Sequence, residues 1–301
     1  MSRIALTFGF SEQGVNLAKR VIISFYKHVL SNSSKQHTVD IYPYKCNFKI
    51  TDLKEFTKNM KHQELPDNPQ TYEYTSFSSP TWDFPKWPGN ICEQDCSIES
   101  FQKVYLPDVA VYHDFATKYA SNYDYVLYCH DDVTFTDSPT GTLDRWIEIV
   151  ADDSPYSIIA ELRTTANFDL SIRFHLCFVF TNTLKFTESS LSFVNDLTLM
   201  DGNKFHIYSN GGSGLLTSLY VKQAGKPQWK PYLIDVHGIF RGKGVTDEDK
   251  WFYHRGEIEW NRHQSLSEFS SNQNTKQGYK EADEYVNRWI HEKSDKKRIS
   301  P

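Results

Sequence analysis

The hydrophobic pattern of the first half of the chain alternates between strand and helix periods. An apolar run at residues 3–8 predicts a strand, and Val15, Ala18 and Ile22 then recur at the spacing of a helix that continues to Val29. The same reasoning predicts further strands at residues 39–44, 123–129, 156–161 and 174–180, and further helices at residues 52–61, 104–119, 143–150, 218–224 and 282–290. This alternation favours an α/β fold with a mostly parallel central sheet and helices on both faces.

One predicted strand ends in acidic residues. The mostly apolar run at 123–129 stops at His130, Asp131 and Asp132 and turns apolar again at Val133. In a parallel α/β sheet, ligands collect in the crevice outside the carboxyl ends of the strands. Two adjacent carboxylates repel each other unless a cation compensates them, and the simplest partner is Mg²⁺ or Mn²⁺, which would in turn hold a diphosphate. The alternative is that the pair caps the following helix or faces water.

Two later segments concentrate glycine and polar chemistry. Gly212 belongs to a turn with three glycines in four residues, just before a predicted helix. Such a backbone approaches a ligand closely, and the helix that follows offers amide donors, although a tight turn alone would explain the pattern equally well. The segment 235–263 then collects acids, histidines and basic residues. Both segments are therefore candidates for a place in a functional site.

Residues 65–90 differ in composition from the rest of the chain, because prolines alternate there with aromatic residues. The aromatic residues are Tyr72, Tyr74, Phe77, Trp82, Phe84 and Trp87. Proline prevents regular structure, yet so many aromatic residues are unusual in a disordered linker. We therefore expect an ordered loop that packs on the domain. It either lines an acceptor groove, since flat aromatic faces suit sugar rings, or simply covers the core.

Charge and cysteine content narrow the function classes. The net charge of −5 and the pI of about 6.1 argue against a nucleic acid as the main partner, apart from a basic stretch at 293–298 that could form a local patch. The five cysteines lack metal-ligand spacing, so we expect free thiols. No apolar stretch approaches the ~18 residues of a membrane span, and the N-terminal run is too short for a secretory signal. We expect a cytoplasmic protein.

The strand that ends in His130-Asp131-Asp132-Val133 resembles the metal-binding segment of GT-A glycosyltransferases, in which a strand ends in a D-x-D-like motif. A histidine before two aspartates is similar to the pattern of some family 2 (GT2-like) members. The resemblance implies a GT-A-type, Rossmann-like fold in which Asp132 binds the metal. It places Asp131 and His130 on the side of the nucleotide sugar, and it implies that Phe10, in the loop after the first strand, contacts the nucleotide base.

The segment that begins at Glu248 looks like the E-D motif of the same family and the helix after it. In that motif the aspartate is the catalytic base, which corresponds to Asp249 in this chain. An inverting sugar transfer needs one carboxylate to remove the proton of the acceptor hydroxyl. The resemblance therefore implies that Asp249 is the base, and Asp235 is the reserve candidate.

Histidines around that motif are candidates for the metal site. In the family, a histidine beyond the helix often completes the metal site or touches the diphosphate. His263 resembles that position, His237 competes with it, and His254 lies between them. The glycine-rich segment around Gly212 is similar in its order along the chain to one that the family carries beside the acceptor site.

The resulting expectation is a metal-dependent enzyme that moves a sugar from a nucleoside-diphosphate donor to a hydroxyl of a glycan or another acceptor, with inversion. We expect a catalytic domain at 1–265 and a C-terminal helical extension with a basic tail at 266–301. One alternative is a nucleotidyl or phosphoryl transferase, which the absence of a G-x-x-x-x-G-K-[ST] loop disfavours. Another is a non-catalytic carbohydrate-binding or scaffold protein on the same fold.

Overall fold

The structure is a computed structural model, and it describes residues 1–50, 72–74, 76–82, 84, 87, 89–96, 107–136, 140–154, 156, 158–163, 173–184, 231–234, 252–254 and 273–298. The strands are β1 Arg3–Phe10, β2 Thr38–Lys45, β3 Phe48–Ile50, β4 Tyr72–Tyr74, β5 Gln94–Asp95, β6 Tyr125–Cys129, β7 Val133–Phe135, β8 Ile158–Arg163, β9 Arg173–Asn182, β10 Pro231–Ile234 and β11 Phe252–His254. The helices are α1 Val15–Phe25, which continues as a π-helical turn at Tyr26–Leu30, α2 Pro107–Lys118, α3 Thr142–Ile149 and α4 Gln273–Arg298.

Several predicted elements are confirmed with shifted bounds. β1 runs to Phe10 rather than ending at residue 8, and the helix predicted at 104–119 is present as α2 over the residues that the structure describes there, Pro107–Lys118. The predicted helices at 52–61 and 218–224 lie outside the described residues.

Among the described residues, the central sheet has seven strands in the order β10-β8-β9-β6-β1-β2-β5. Neighbouring strands are parallel except where β9 pairs with β6 and with β8. After β1, the chain adds β2 and β5 on one side of it and later returns to place β6 on the other side. Two antiparallel pairs, β11 with β7 and β3 with β4, lie apart from this sheet. The predicted mostly parallel α/β sheet is confirmed, and its strand order reverses between β1 and β6.

Helices cover both faces of the sheet around β1, as the sequence predicts. Successive side chains of a strand point to opposite faces. Ile4 and Leu6 are fully buried in one core cluster, together with Val21 of α1. On the opposite face, a side chain at Gly9 would come within 3.3 Å of Val111 of α2. The strand is therefore enclosed by α1 on one side and α2 on the other.

A buried polar network lies on the α2 side of β2. The carboxylate of Asp40 accepts hydrogen bonds from the Asn90 backbone N–H (2.7 Å) and from the Tyr123 hydroxyl (2.8 Å). The Tyr42 and Tyr123 hydroxyls are 2.8 Å apart. Burial raises the pKa of Tyr123, and the hydrogen bonds with Tyr42 and Asp40 raise it further, so the phenol keeps its proton and acts as a donor. These bonds explain how a carboxylate is accommodated inside a central strand.

The C-terminal helix α4 packs on α1. Leu17 and Ala282 are both fully buried and form a small cluster between the two helices. Beside it, the Asn16 amide donates a hydrogen bond of 2.7 Å to the Asp283 carboxylate. α4 is longer than the predicted helix at 282–290. In the described part of the chain, we find no helix with both the length and the apolar character needed to span a bilayer.

The Asp144 carboxylate, in the first turn of α3, forms hydrogen bonds with the loop before β2. Asp144 accepts hydrogen bonds from the Ser34 backbone N–H (2.8 Å) and hydroxyl (2.7 Å), from the Ser33 hydroxyl (3.1 Å) and from His37 Nε2 (2.8 Å). Burial alone would raise the pKa of Asp144, but the hydrogen bonds from His37, Ser34 and Ser33 stabilise the carboxylate and hold its pKa well below its usual range.

We expect Asp144→Asn to lower the free energy of unfolding at pH 7 by about 2 kcal/mol, because it replaces charge-assisted hydrogen bonds in a buried site. A depressed folded-state pKa gives stability that is complete above the unfolded pKa of about 3.9 and is lost as the pH falls towards the folded value. The variant should therefore lose less stability than the wild type below about pH 4. Urea unfolding measured across this pH range tests the expectation.

Glu148→Gln on the same helix is the matched control. The Glu148 side chain is 71% exposed and lies 4.0 Å from Lys35, so its loss should change the free energy of unfolding by less than about 0.5 kcal/mol. Equal effects of the two substitutions would show that Asp144 does not fasten this loop.

Candidate functional site

The acidic motif forms a tight turn between two strands. β6 ends at Cys129, β7 begins at Val133, and the Val133 N–H donates to the His130 carbonyl at 3.3 Å. His130, Asp131 and Asp132 are only 3%, 0% and 1% exposed. The structure confirms that a buried strand ends in these residues. Their burial argues against the alternative that the pair merely faces water.

The turn lies beside the end of β1. β1 and β6 are parallel neighbours, with Ile4 opposite Tyr125 and Thr7 opposite Tyr128. The carboxyl ends of the two strands therefore meet at the same edge of the sheet. Because the strand order reverses between them, this edge is a topological switch point, where open α/β sheets form their ligand crevice.

One of the two carboxylates also approaches the start of α1. A Cβ atom on Gly14, the residue before α1, would lie 2.8 Å from Asp131 Oδ2. The N-terminal end of a helix carries a partial positive charge, which favours a carboxylate nearby. The sequence predicts that a cation compensates the acidic pair. In the structure, the N-terminal end of α1 is a second source of positive charge beside Asp131.

The segment after the E-D motif pairs with the strand after the acidic turn. β11 is antiparallel to β7, with Phe252 opposite Phe135 and His254 opposite Val133. The prediction of a helix after Asp249 is wrong for residues 252–254, because these residues form a strand. Aromatic residues favour strands, and here they find a partner strand. The pairing places His254 one register position from the acidic turn.

The other predicted site residues lie outside the described parts of the chain. They are the base candidates Asp249 and Asp235, the metal candidates His237 and His263, and Gly212 of the glycine-rich turn. Their roles stay predictions. Among the three histidines that the sequence leaves open for the metal site, His254 is the one within the described residues, and its backbone lies beside the turn.

The sequence placed Phe10 in the loop after the first strand, and this is wrong, because Phe10 is the last residue of β1. Its side chain is fully buried and makes edge contacts with the rings of Phe77 and Trp82, each at 5.5 Å. These contacts join the end of β1 to the aromatic loop at 65–90.

The described part of that aromatic loop is ordered against the domain. Phe77, Trp82, Phe84 and Trp87 all pack on the main core cluster. The Trp82 indole N–H donates to Glu93 Oε2 at 2.7 Å, and that of Trp87 donates to the Val39 carbonyl at 2.8 Å. The expectation of an ordered loop is confirmed for these residues. Their contacts favour the covering role over an acceptor groove.

Lys45 is a nearly buried cation at the end of β2 that the sequence reasoning missed. Its ammonium lies 3.1 Å from an Asp95 carboxylate oxygen and 3.5 Å from one of Glu93. Burial would lower the pKa of Lys45, but the hydrogen bond with Asp95 and the charges of both carboxylates raise it above its usual value. The sequence carried a weak signal of this site, a lysine that ends an apolar strand.

Carboxylate oxygens are the ligands that Mg²⁺ and Mn²⁺ prefer, and such ions commonly bind one or two protein carboxylates and complete their shell with phosphates and water. Asp131 and Asp132 fit this donor set. Within the described residues, no cluster of three or more histidine, cysteine, aspartate or glutamate side chains is arranged to hold a metal.

A scan against protein-family models found no match, and no curated protein matches the chain.

We expect Trp82→Ala to lower the free energy of unfolding by about 2 kcal/mol, because the ring packs on Phe10 and covers part of the main core cluster. Trp82→Phe should cost about 1 kcal/mol, since it keeps an aromatic ring and loses the hydrogen bond to Glu93. Thr81→Ala, at an exposed neighbouring position, should change little. If Trp82→Ala left stability intact, the ring would instead be available to line a groove. Urea unfolding of the three variants measures these differences.

Proposed function

We propose that the chain is a GT-A-type glycosyltransferase, similar to family 2, that transfers a sugar from a nucleoside-diphosphate donor to the hydroxyl of an acceptor. The observation that carries the proposal is the buried pair of Asp131 and Asp132 at the carboxyl end of β6, at the switch point beside β1. An α/β sheet places its ligands at this edge, and paired carboxylates suit a metal-bound diphosphate.

In this proposal Asp132 holds Mg²⁺ or Mn²⁺, and Asp131 and His130 face the nucleotide. The bound ion would offset the negative charge on the departing diphosphate. Asp249 removes the proton of the acceptor hydroxyl as it attacks, which gives inversion at the sugar carbon. The pairing of β11 with β7 supports a place for this segment near the acidic turn, because β11 begins three residues after Asp249. Asp235 is the alternative base.

The runner-up is a scaffold or carbohydrate-binding protein on the same fold. Such a protein would need no metal-bound nucleotide, so its folded state would not gain stability from one. A nucleotidyl or phosphoryl transferase would bind the metal as well, but its product would be a nucleotidyl or phosphoryl derivative and not a glycoside. Binding and product analysis together therefore separate the three functions.

We expect one of UDP, GDP, CDP and dTDP, added with Mn²⁺, to raise the unfolding temperature by about 5 °C at a concentration near 100 times its Kd, because a ligand that binds the native state alone stabilises it. Asp132→Asn should abolish the shift by removing the metal ligand. Thermal unfolding and calorimetric titration with and without Mn²⁺ measure both effects, and the nucleotide that binds names the donor class.

Asp153→Asn, the same change at an exposed turn position, is the control and should keep the full shift. A wild-type protein that responds to none of the four nucleotides would contradict the transferase and support the scaffold. A shift that survives in Asp132→Asn would place the metal elsewhere.

A further inference from the structure

Gly14 lies where the loop after β1 meets the carboxylate of Asp131. A Cβ atom on Gly14 would be 2.8 Å from Asp131 Oδ2, a separation that real Cβ atoms essentially never show. Asp131 is fully buried, so its short side chain cannot move aside into solvent. The contact joins the loops that follow two neighbouring strands of the sheet.

The backbone of Gly14 does not itself require glycine. Its φ of −86° and ψ of 8° are values that other residues adopt at the end of a turn. Its N–H is held by the Ser11 carbonyl at 2.8 Å and lies 3.2 Å from the Ser11 hydroxyl. The advantage of glycine here is therefore the space left by the missing side chain. Asp131 Oδ2 lies 2.8 Å from the position that a Cβ atom would take, which is too close for both to be accommodated.

We propose that Gly14 is a positioning residue for the candidate site. Because Gly14 has no side chain, the Asp131 carboxylate can approach it closely, and this sets the orientation of that carboxylate beside Asp132. This inference rests on the proposed function, in which Asp131 faces the nucleotide and Asp132 holds the metal. A methyl group at Gly14 pushes the Asp131 carboxylate away from the start of α1. The nucleotide then loses a contact, whereas the metal keeps its ligand.

The test is a double-mutant cycle in which the urea midpoint is measured for four proteins. They are the wild type, Gly14→Ala, Asp131→Ala and the double variant. Gly14→Ala should lower the urea midpoint of the wild type. In the Asp131→Ala background the same change should leave the midpoint unchanged or raise it, because the clash is gone and alanine restricts the unfolded chain. If Gly14→Ala alone does not fold, the double variant should restore folding.

Gly141→Ala is the matched control for this cycle. Gly141 has a φ of +83°, and the nearest atom to an added Cβ would be Asp144 Oδ2 at 3.7 Å. Alanine there is penalised by its backbone conformation and not by a clash with Asp131. Its loss in midpoint should therefore be the same with and without the Asp131 side chain.

The functional readout separates positioning from general damage. The Kd of Mn²⁺ alone, measured by the electron paramagnetic resonance of the free ion, should change less than about twofold in Gly14→Ala. The Kd values of UDP, GDP, CDP and dTDP at saturating Mn²⁺ are measured alongside, and for the nucleotide that binds the wild type we expect a rise of about tenfold or more, since small misplacements of a binding group are costly.

Three results would overturn the positioning role: an equal loss of midpoint in both Asp131 backgrounds, an unchanged nucleotide Kd in Gly14→Ala, or parallel losses of Mn²⁺ and nucleotide affinity. A wild-type protein that binds none of the four nucleotides overturns the proposed function instead. The urea cycle still decides in that case whether Gly14 holds the room for Asp131, so the two failures are distinguishable.

Discussion

The parallel pairing of β1 with β6 is the contact on which both the sheet and the candidate site depend. These two strands come from distant parts of the chain and lie side by side at the centre of the described sheet. Their pairing requires that the polypeptide leave both strands at one edge, because parallel strands end on the same side. The acidic turn and the loop before α1 therefore face each other without any contact between side chains being needed to bring them there.

The site then depends on how two adjacent carboxyl groups are accommodated in a buried place. Asp131 lies against the start of α1, where the helix end favours a carboxylate. Asp132 follows it in the same turn and is equally buried. In the proposed function these two neighbouring acids divide the work, because Asp131 orients the nucleotide and Asp132 holds the cation.

Local patterns were enough to predict most elements, and long-range pairings were not. The periodicity of α1 and the apolar run that stops at His130 are local, and both are confirmed. Nothing local shows that β9 runs antiparallel or that β11 pairs with β7, because those depend on distant partners. The role of Gly14 was hidden for the same reason, since a glycine with an ordinary φ gives no signal until its spatial neighbour is known.

The edge strand β5 affects how readily one molecule pairs its sheet with that of another at high concentration. β5 is two residues long, and it is the last strand in the described order. Asp95 on this strand and Glu93 just before it hold Lys45 in ion pairs. A border strand this short and this charged gives another chain few backbone groups to pair with. The same residues that complete the sheet thereby discourage its extension from one molecule into the next.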